Sequence, residues 1–288
     1  MSTLPRMARA RGVAMLLAAL LACLVSLAAS MSLHAQTPRV VAVRAYDFGY
    51  RSPPSVPAGT LTFRLTNEGK EIHHLWVVRL NEGKTPADFM KAMNTWGSAL
   101  KMPDWATDVG GPNNVGPGET ADGTMTLDPG TYMLVCWVPS PDGRPHVMKG
   151  MIKPLEITAK GATAAAEPTP DVTMTLDDYS FNVSSPIKAG RRTIRFENVA
   201  SQPHEAVIAK LLPDKTLMQA VVWMNSGQVG PSPVVMLGGA SGIAKGRHMF
   251  ITATFTPGTY VLLCFIPDVK DGKPHSSHGM AKEIKVEP

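Results

Sequence analysis

No stretch limits the fold of this chain more than Cys136 to Met151, because the chain carries it twice. The first copy reads Cys-Trp-Val-Pro-Ser-Pro-Asp-Gly-Arg-Pro-His-Val-Met-Lys-Gly-Met. The second, Cys264 to Met280, reads Cys-Phe-Ile-Pro-Asp-Val-Lys-Asp-Gly-Lys-Pro-His-Ser-Ser-His-Gly-Met. Both follow Pro-Gly-Thr-Tyr and an apolar run, with four residues between His and Met and nine or ten between Cys and His. A repeat of this kind sets the number of folded units, so it governs every local reading.

The repeat extends over residues 38–158 and 171–288. Pro129-Gly130-Thr131-Tyr132 matches Pro257-Gly258-Thr259-Tyr260, Tyr46-Asp47-Phe48 matches Tyr179-Ser180-Phe181, and Leu65-Thr66-Asn67 matches Phe196-Glu197-Asn198. Residues 159–170, small and proline-rich, read as a linker with nothing to bury. The expected units are therefore residues 36–158 and 171–288, in keeping with the domain number that 288 residues suggest.

Residues 1–35 read as a signal peptide. Arg6, Arg9 and Arg11 precede an apolar run from about Val13 to Ala29, and Leu33-His34-Ala35 offers a cleavage site before Gln36. The expected location is periplasmic or secreted. Lipid anchoring at Cys23 is disfavoured because the apolar run continues past it. Without the leader, 25 basic residues face 23 acidic ones, a net charge of +2 that excludes a nucleic-acid or membrane-surface footprint. No later segment has the apolar length of a spanning helix, so no membrane span is expected after signal removal.

Within each copy the period is two. Leu61, Phe63 and Leu65 alternate with polar residues, as do Met249, Ile251, Ala253 and Phe255 with Phe250, Thr252 and Thr254, and turn signals punctuate the runs. Each copy thus reads as a sandwich of short strands. Tyr132, Leu134 and Cys136 share one strand face, as do Tyr260, Leu262 and Cys264. One helix interrupts each copy: Thr85 caps and Pro86 starts a run with Phe89, Met93 and Trp96 at helical spacing, and 216–225 fills the same slot. The methionines of these insertions read as packing residues rather than as a copper(I) cluster.

Two cysteines remain in the mature chain, one per copy, and an exported protein would ordinarily pair them in a disulfide. The matched His and Met argue for a metal instead. Thiolate, imidazole and a weak axial thioether form the donor set of a blue-copper site, which needs one more His per copy. His73 lies opposite His204, each six residues past an Asn and opening an apolar strand, whereas His74 lies opposite Glu205. His73, Cys136, His146 and Met151 recur as His204, Cys264, His275 and Met280 at separations of 131, 128, 129 and 129 residues.

An early His before an apolar strand, then Cys, His and Met on a late loop, resembles the cupredoxins. The likeness covers nearly the whole mature chain, and the long Cys-to-His spacing with Pro before His looks most like the type 1 loop of copper nitrite reductases. It implies an all-β fold of two tandem Greek-key sandwiches. It also implies two type 1-like coppers, one held by His73, Cys136, His146 and Met151 and the other by His204, Cys264, His275 and Met280.

Val135 and Leu263 precede the cysteines where the related enzymes carry a His, and no His-x-His pair occurs. The chain is accordingly expected not to be an enzyme but a one-electron carrier serving a redox partner protein. Copper carriage or sequestration is the alternative, which exposed Met148 and His278 would favour; a metal-free sandwich would leave the paired donors without a purpose. His278 is expected at the solvent-exposed rim. No nucleophile elbow, phosphate loop or Cys-x-x-Cys points to other chemistry.

Overall fold

The computed structural model describes residues 37–95, 102–163 and 165–288. The expected leader, Cys23 included, lies outside the described residues, as does Trp96. The first half contains β1 (Arg39–Tyr46), β2 (Gly49–Arg51), β3 (Ser55–Asn67), β4 (Trp76–Leu80), α1 (Pro86–Thr95), β5 (Ala106–Gly110), β6 (Thr120–Leu127), β7 (Gly130–Val135) and β8 (Ile152–Thr163). The second repeats that order as β9 (Val172–Asp177), β10 (Ser180–Val183), β11 (Gly190–Asn198), β12 (His204–Leu211), α2 (Leu217–Asn225), β13 (Val234–Ile243), β14 (His248–Phe255), β15 (Gly258–Leu263) and β16 (Ala281–Val286). No helix among the described residues is long and apolar enough to cross a membrane. β8 continues through 163, into the segment read as a linker, and Ala165 beyond it is buried with its carbonyl accepting from Thr60 Oγ1.

In each half two sheets face each other with the core between them. Strands run in the order β2-β1-β3-β6 and β8-β7-β4-β5 in the first, and β10-β9-β11-β14 and β16-β15-β12-β13 in the second. The alternating runs behave as their period requires: Leu61, Phe63 and Leu65 are buried, as are Met249, Ile251 and Phe255. Phe250, expected on the outer face, is buried as well, because β14 is no edge and Phe250 pairs with Thr124 of β6. Tyr132, Leu134 and Cys136 point into the inter-sheet core, while Met133 and Val135 point the other way, under α1, beside Phe89 and Met93. Val261 and Leu263 lie likewise beneath Ala220 and Met224 of α2.

Both helices start on a reciprocal cap. Thr85 Oγ1 accepts from the Asp88 N–H at 3.2 Å and the Asp88 carboxylate accepts from the Thr85 N–H at 2.9 Å; Thr216 and Gln219 repeat the exchange.

The halves join edge to edge, matched strand to matched strand. β6 pairs antiparallel with β14 around Gly123↔Ile251, and β5 meets β13 with Pro112 bridging Ala240. The registers of β3 with β6 and β11 with β14 make Gly123 the counterpart of Ile251, and those of β4 with β5 and β12 with β13 make Pro112 the counterpart of Ala240. Self-pairing of counterparts is the mark of a two-fold, isologous contact. The Asn113 N–H donates to Gly239 O at 3.1 Å and the Ser241 N–H to Gly111 O at 2.9 Å, again a matched exchange.

Candidate metal centres

Each early His is delivered by an Asn at the end of a strand. Asn67 Nδ2 donates to Glu71 O and Val115 O, both at 2.8 Å, while its Oδ1 accepts from the Gly69 N–H. Asn198 repeats this on Gln202 O, Ile243 O and the Ala200 N–H. The turn between Asn and His is thereby tied down, and His73 and His204 enter their strands fully buried.

The late loops are built equally tightly. The His146 N–H donates to Val138 O at 2.9 Å and the Val147 N–H to Cys136 O at 2.7 Å. The Met151 N–H donates to His146 O at 3.0 Å, and the Cys136 N–H returns to Met151 O at 3.2 Å. His275, Ser276, Met280 and Cys264 make the same four bonds. A single 3-10 turn follows each His and ends on Gly150 or Gly279, both at φ 102°, a left-handed conformation that explains the Gly before each Met.

These elements bring His73, Cys136 and His146 together, and separately His204, Cys264 and His275, each set with its nitrogen and sulfur atoms within 4.8 Å of one another. In the first centre His146 Nδ1 lies 3.4 Å from Cys136 Sγ and 3.0 Å from His73 Nδ1. In the second, Cys264 Sγ lies 3.8 Å from His204 Nδ1 and 3.4 Å from His275 Nδ1. All six side chains are buried, as are Met151 and Met280, which the structure ties to the cysteines through the backbone.

The outward nitrogens decide which atoms face the sulfur. His73 Nε2 sits 2.8 Å from Asp47 Oδ1, His146 Nε2 sits 2.8 Å from Glu71 Oε2, and His204 Nε2 sits 3.1 Å from Asp178 Oδ1. Carboxylates accept only, so each Nε2 carries the proton and each Nδ1 turns a lone pair inward. Lone pairs facing each other at 3.0 Å repel unless a cation lies between them, and the donor set therefore fits a metal ion. His275 Nε2 has no hydrogen bond; Asp268 Oδ2 stands 3.7 Å away, engaged by Tyr179 Oη and Gln202 Nε2.

Burial holds all four imidazoles below their ordinary pKa, His275 at about 4, which favours the neutral form that could ligate a metal. Burial also pushes the Cys136 thiol up to about 12 and the Cys264 thiol well above its ordinary value. A thiol in this setting becomes a thiolate when a cation replaces its proton. Both cysteines are free, so the alternative of a disulfide between the copies is not realised.

Some residues escaped the sequence reading. Asp47 and Asp178 each lie 26 residues before their His, and the strand registers pair Asp47-Phe48 with Asp178-Tyr179, correcting the match of Tyr46-Asp47-Phe48 to Tyr179-Ser180-Phe181. Phe48 packs on His146 and Tyr179 on His275 at 5.0 and 5.7 Å between ring centres. His74 is buried and its Nε2 accepts from the Trp137 N–H at 2.8 Å; Glu205, its counterpart, accepts from the Phe265 N–H at 2.9 Å. His278 is exposed and pairs with Asp271.

No protein-family model matches the chain, and no curated protein does. Among solved structures, auracyanin from Roseiflexus castenholzii aligns at 21% identity over 43% of this chain and 99% of its own, with a TM-score of 0.29. A copper-containing nitrite reductase from Thermus scotoductus aligns at 13% identity over 87% of this chain, with a TM-score of 0.24, and the chain spans 61% of it. A multicopper oxidase aligns at 13% over 86% of this chain and 87% of its own, with a TM-score of 0.23. The fold, two tandem sandwiches, is similar to that of these copper proteins, and each half holds one buried His, Cys, His set able to take the copper expected from the sequence. The expectation that the chain is not an enzyme is corrected: among the structures it is similar to, the nitrite reductase and the oxidase are enzymes.

Proposed function

We propose that this chain is an exported copper protein with two type 1-like centres that pass single electrons to and from a redox partner protein. His73, Cys136 and His146 would hold one ion and His204, Cys264 and His275 the other, with Met151 and Met280 as the weak axial donors. Copper supplies there a one-electron couple between its cuprous and cupric states. The observation that carries the reading is the convergence of two inward imidazole nitrogens on one buried thiol, twice, with three of the four outward nitrogens held by carboxylates.

The chain's own residues suit that task. Asp47, Glu71 and Asp178 hold the rings in one tautomer and one orientation. The four backbone hydrogen bonds of each late loop resist ligand movement when the charge at the centre changes. Complete burial of the donors excludes water and favours electron passage over release of the metal as cargo. The residues 1–35 would direct export.

The test is a copper count, a visible spectrum and a redox titration of the purified chain. An intense thiolate-to-copper band that bleaches and returns with one electron per copper is the expected result. Copper bound without that band would place the ion elsewhere and overturn the reading.

A further inference from the structure

The halves are joined by side chains as well as by their strands. Asn113, fully buried after β5, donates through Nδ2 to Ala240 O at 3.1 Å and to Glu205 Oε2 at 2.8 Å, both in the other half. The second oxygen of Glu205 accepts from the Phe265 N–H, directly after Cys264. Glu205 also offers its own N–H to Cys264 Sγ at 3.5 Å.

The first half mirrors this with a different residue. The Trp137 N–H, directly after Cys136, donates to His74 Nε2. Neutral His74 then carries its proton on Nδ1, the nitrogen left to the side chains of Asn113 and Asn114. A buried series of polar groups thus runs from the backbone behind one cysteine to the backbone behind the other, with Asn113, hydrogen-bonded to Glu205 and beside His74, in the middle. Its counterpart Ser241 donates its hydroxyl to Pro112 O at 3.3 Å.

We propose that Asn113 is a positioning residue for both metal centres, fixing His74 and Glu205 together so that filling one centre is felt behind the cysteine of the other. The proposal rests on the copper reading of the two clusters. Polar groups shielded from water transmit displacement well, because none can relax by turning to solvent.

The test uses nitrogen-15 NMR of the full chain carrying Cys264→Ser, which leaves only the first centre complete. On addition of one equivalent of copper(I), the Phe265 amide resonance, in the half whose own centre is broken, is expected to shift. Asn113→Ala added to that chain should reduce the shift severalfold, whereas Ser241→Ala should leave it intact. Glu205→Gln, which keeps an acceptor for the Phe265 N–H but turns a donor towards Asn113, should reduce it too, and it decides the matter if Asn113→Ala does not fold. A stationary Phe265 resonance with one copper counted, or an equal shift without Asn113 or Glu205, overturns the coupling alone. Failure of the Cys264→Ser chain to bind any copper overturns the metal reading and the coupling with it.

Discussion

The two centres share their donors, loop hydrogen bonds and the carboxylate on the early His, and differ in several other side chains that surround them. In the first, Glu71 holds His146 at 2.8 Å while the hydroxyl of Ser140 is buried nearby in the chain without a partner. In the second, the counterparts are Gln202 and Asp268: the carboxylate has moved from the early loop to the late one, stands 3.7 Å from His275, and is held by Gln202 itself. Phe48 gives way to Tyr179, Tyr50 to Phe181, and His74 to Glu205. A metal-binding set fixes the atoms aimed at the ion, whereas an acid to orient an imidazole is supplied from whichever loop can reach. The Tyr50 hydroxyl, beside Cys136 and donating to His74 O, has no equivalent beside Cys264. Since hydrogen bonding around the sulfur tunes a copper thiolate, the centres are expected to have different potentials.

The largest effects probe what the halves have in common. Gly111 and Gly239 occupy matched positions at φ +138° and +123°, and a Cβ at either would overlap a carbonyl oxygen, that of Leu75 or of Ala206. Gly111→Ala and Gly239→Ala should each lower stability by about 4 kcal/mol, combining backbone strain and overpacking. Chemical denaturation checks this, and free tolerance of one but not the other would break the equivalence of the halves.

The pair His74 and Glu205 should give opposite pH slopes in the metal-free chain. Burial raises Glu205 from 4.5 to about 7, so its stabilising contribution is complete below pH 4.5 and lost as the pH rises through 7. Burial lowers His74 from 6.5 to about 3, so its contribution is complete above pH 6.5 and lost as the pH falls towards 3. Relative to the parent, Glu205→Gln should gain on the order of 3 kcal/mol between pH 4.5 and 8, and His74→Gln should gain only on acidification. Denaturation midpoints across that range decide it, and slopes of the same sign would contradict the assignment.

Smaller changes sharpen the contrast. Tyr50→Phe gives the first centre the residue of the second; it should cost about 1 kcal/mol and move the first centre's thiolate absorption and potential towards those of the second, as measured in a Cys264→Ser chain. An unchanged spectrum would remove Tyr50 from the explanation. Met280→Leu should retain copper and shift the potential of the second centre, because only a weak axial donor is lost. Loss of that copper would make Met280 a principal ligand.

Much of this architecture is legible in the sequence because it is written twice. Asn67 and Asn198 served to align the copies, and they prove to be the residues that fix the turns before His73 and His204. Alternation placed Cys136 and Cys264 on the inner faces, where the burial of Tyr132, Leu134, Tyr260 and Leu262 confirms the rows. Asp47 and Asp178 were within reach, since the separation of the early histidines, 131 residues, also relates them. Glu71 and Asp268 were not, because they serve the same ring from unmatched positions. Asn113 lay further out of reach: its partner Glu205 is 92 residues away, and only the edge-to-edge register of the halves brings them together.

The central claim is that each half completes its own copper centre. Its most direct test is the copper content and visible spectrum of the parent chain beside Cys136→Ser and Cys264→Ser. The expected result is two coppers in the parent and one in each variant, with each variant retaining one of two resolvable thiolate bands. Loss of all copper and colour from either single substitution, or a parent that holds only one ion, would contradict it.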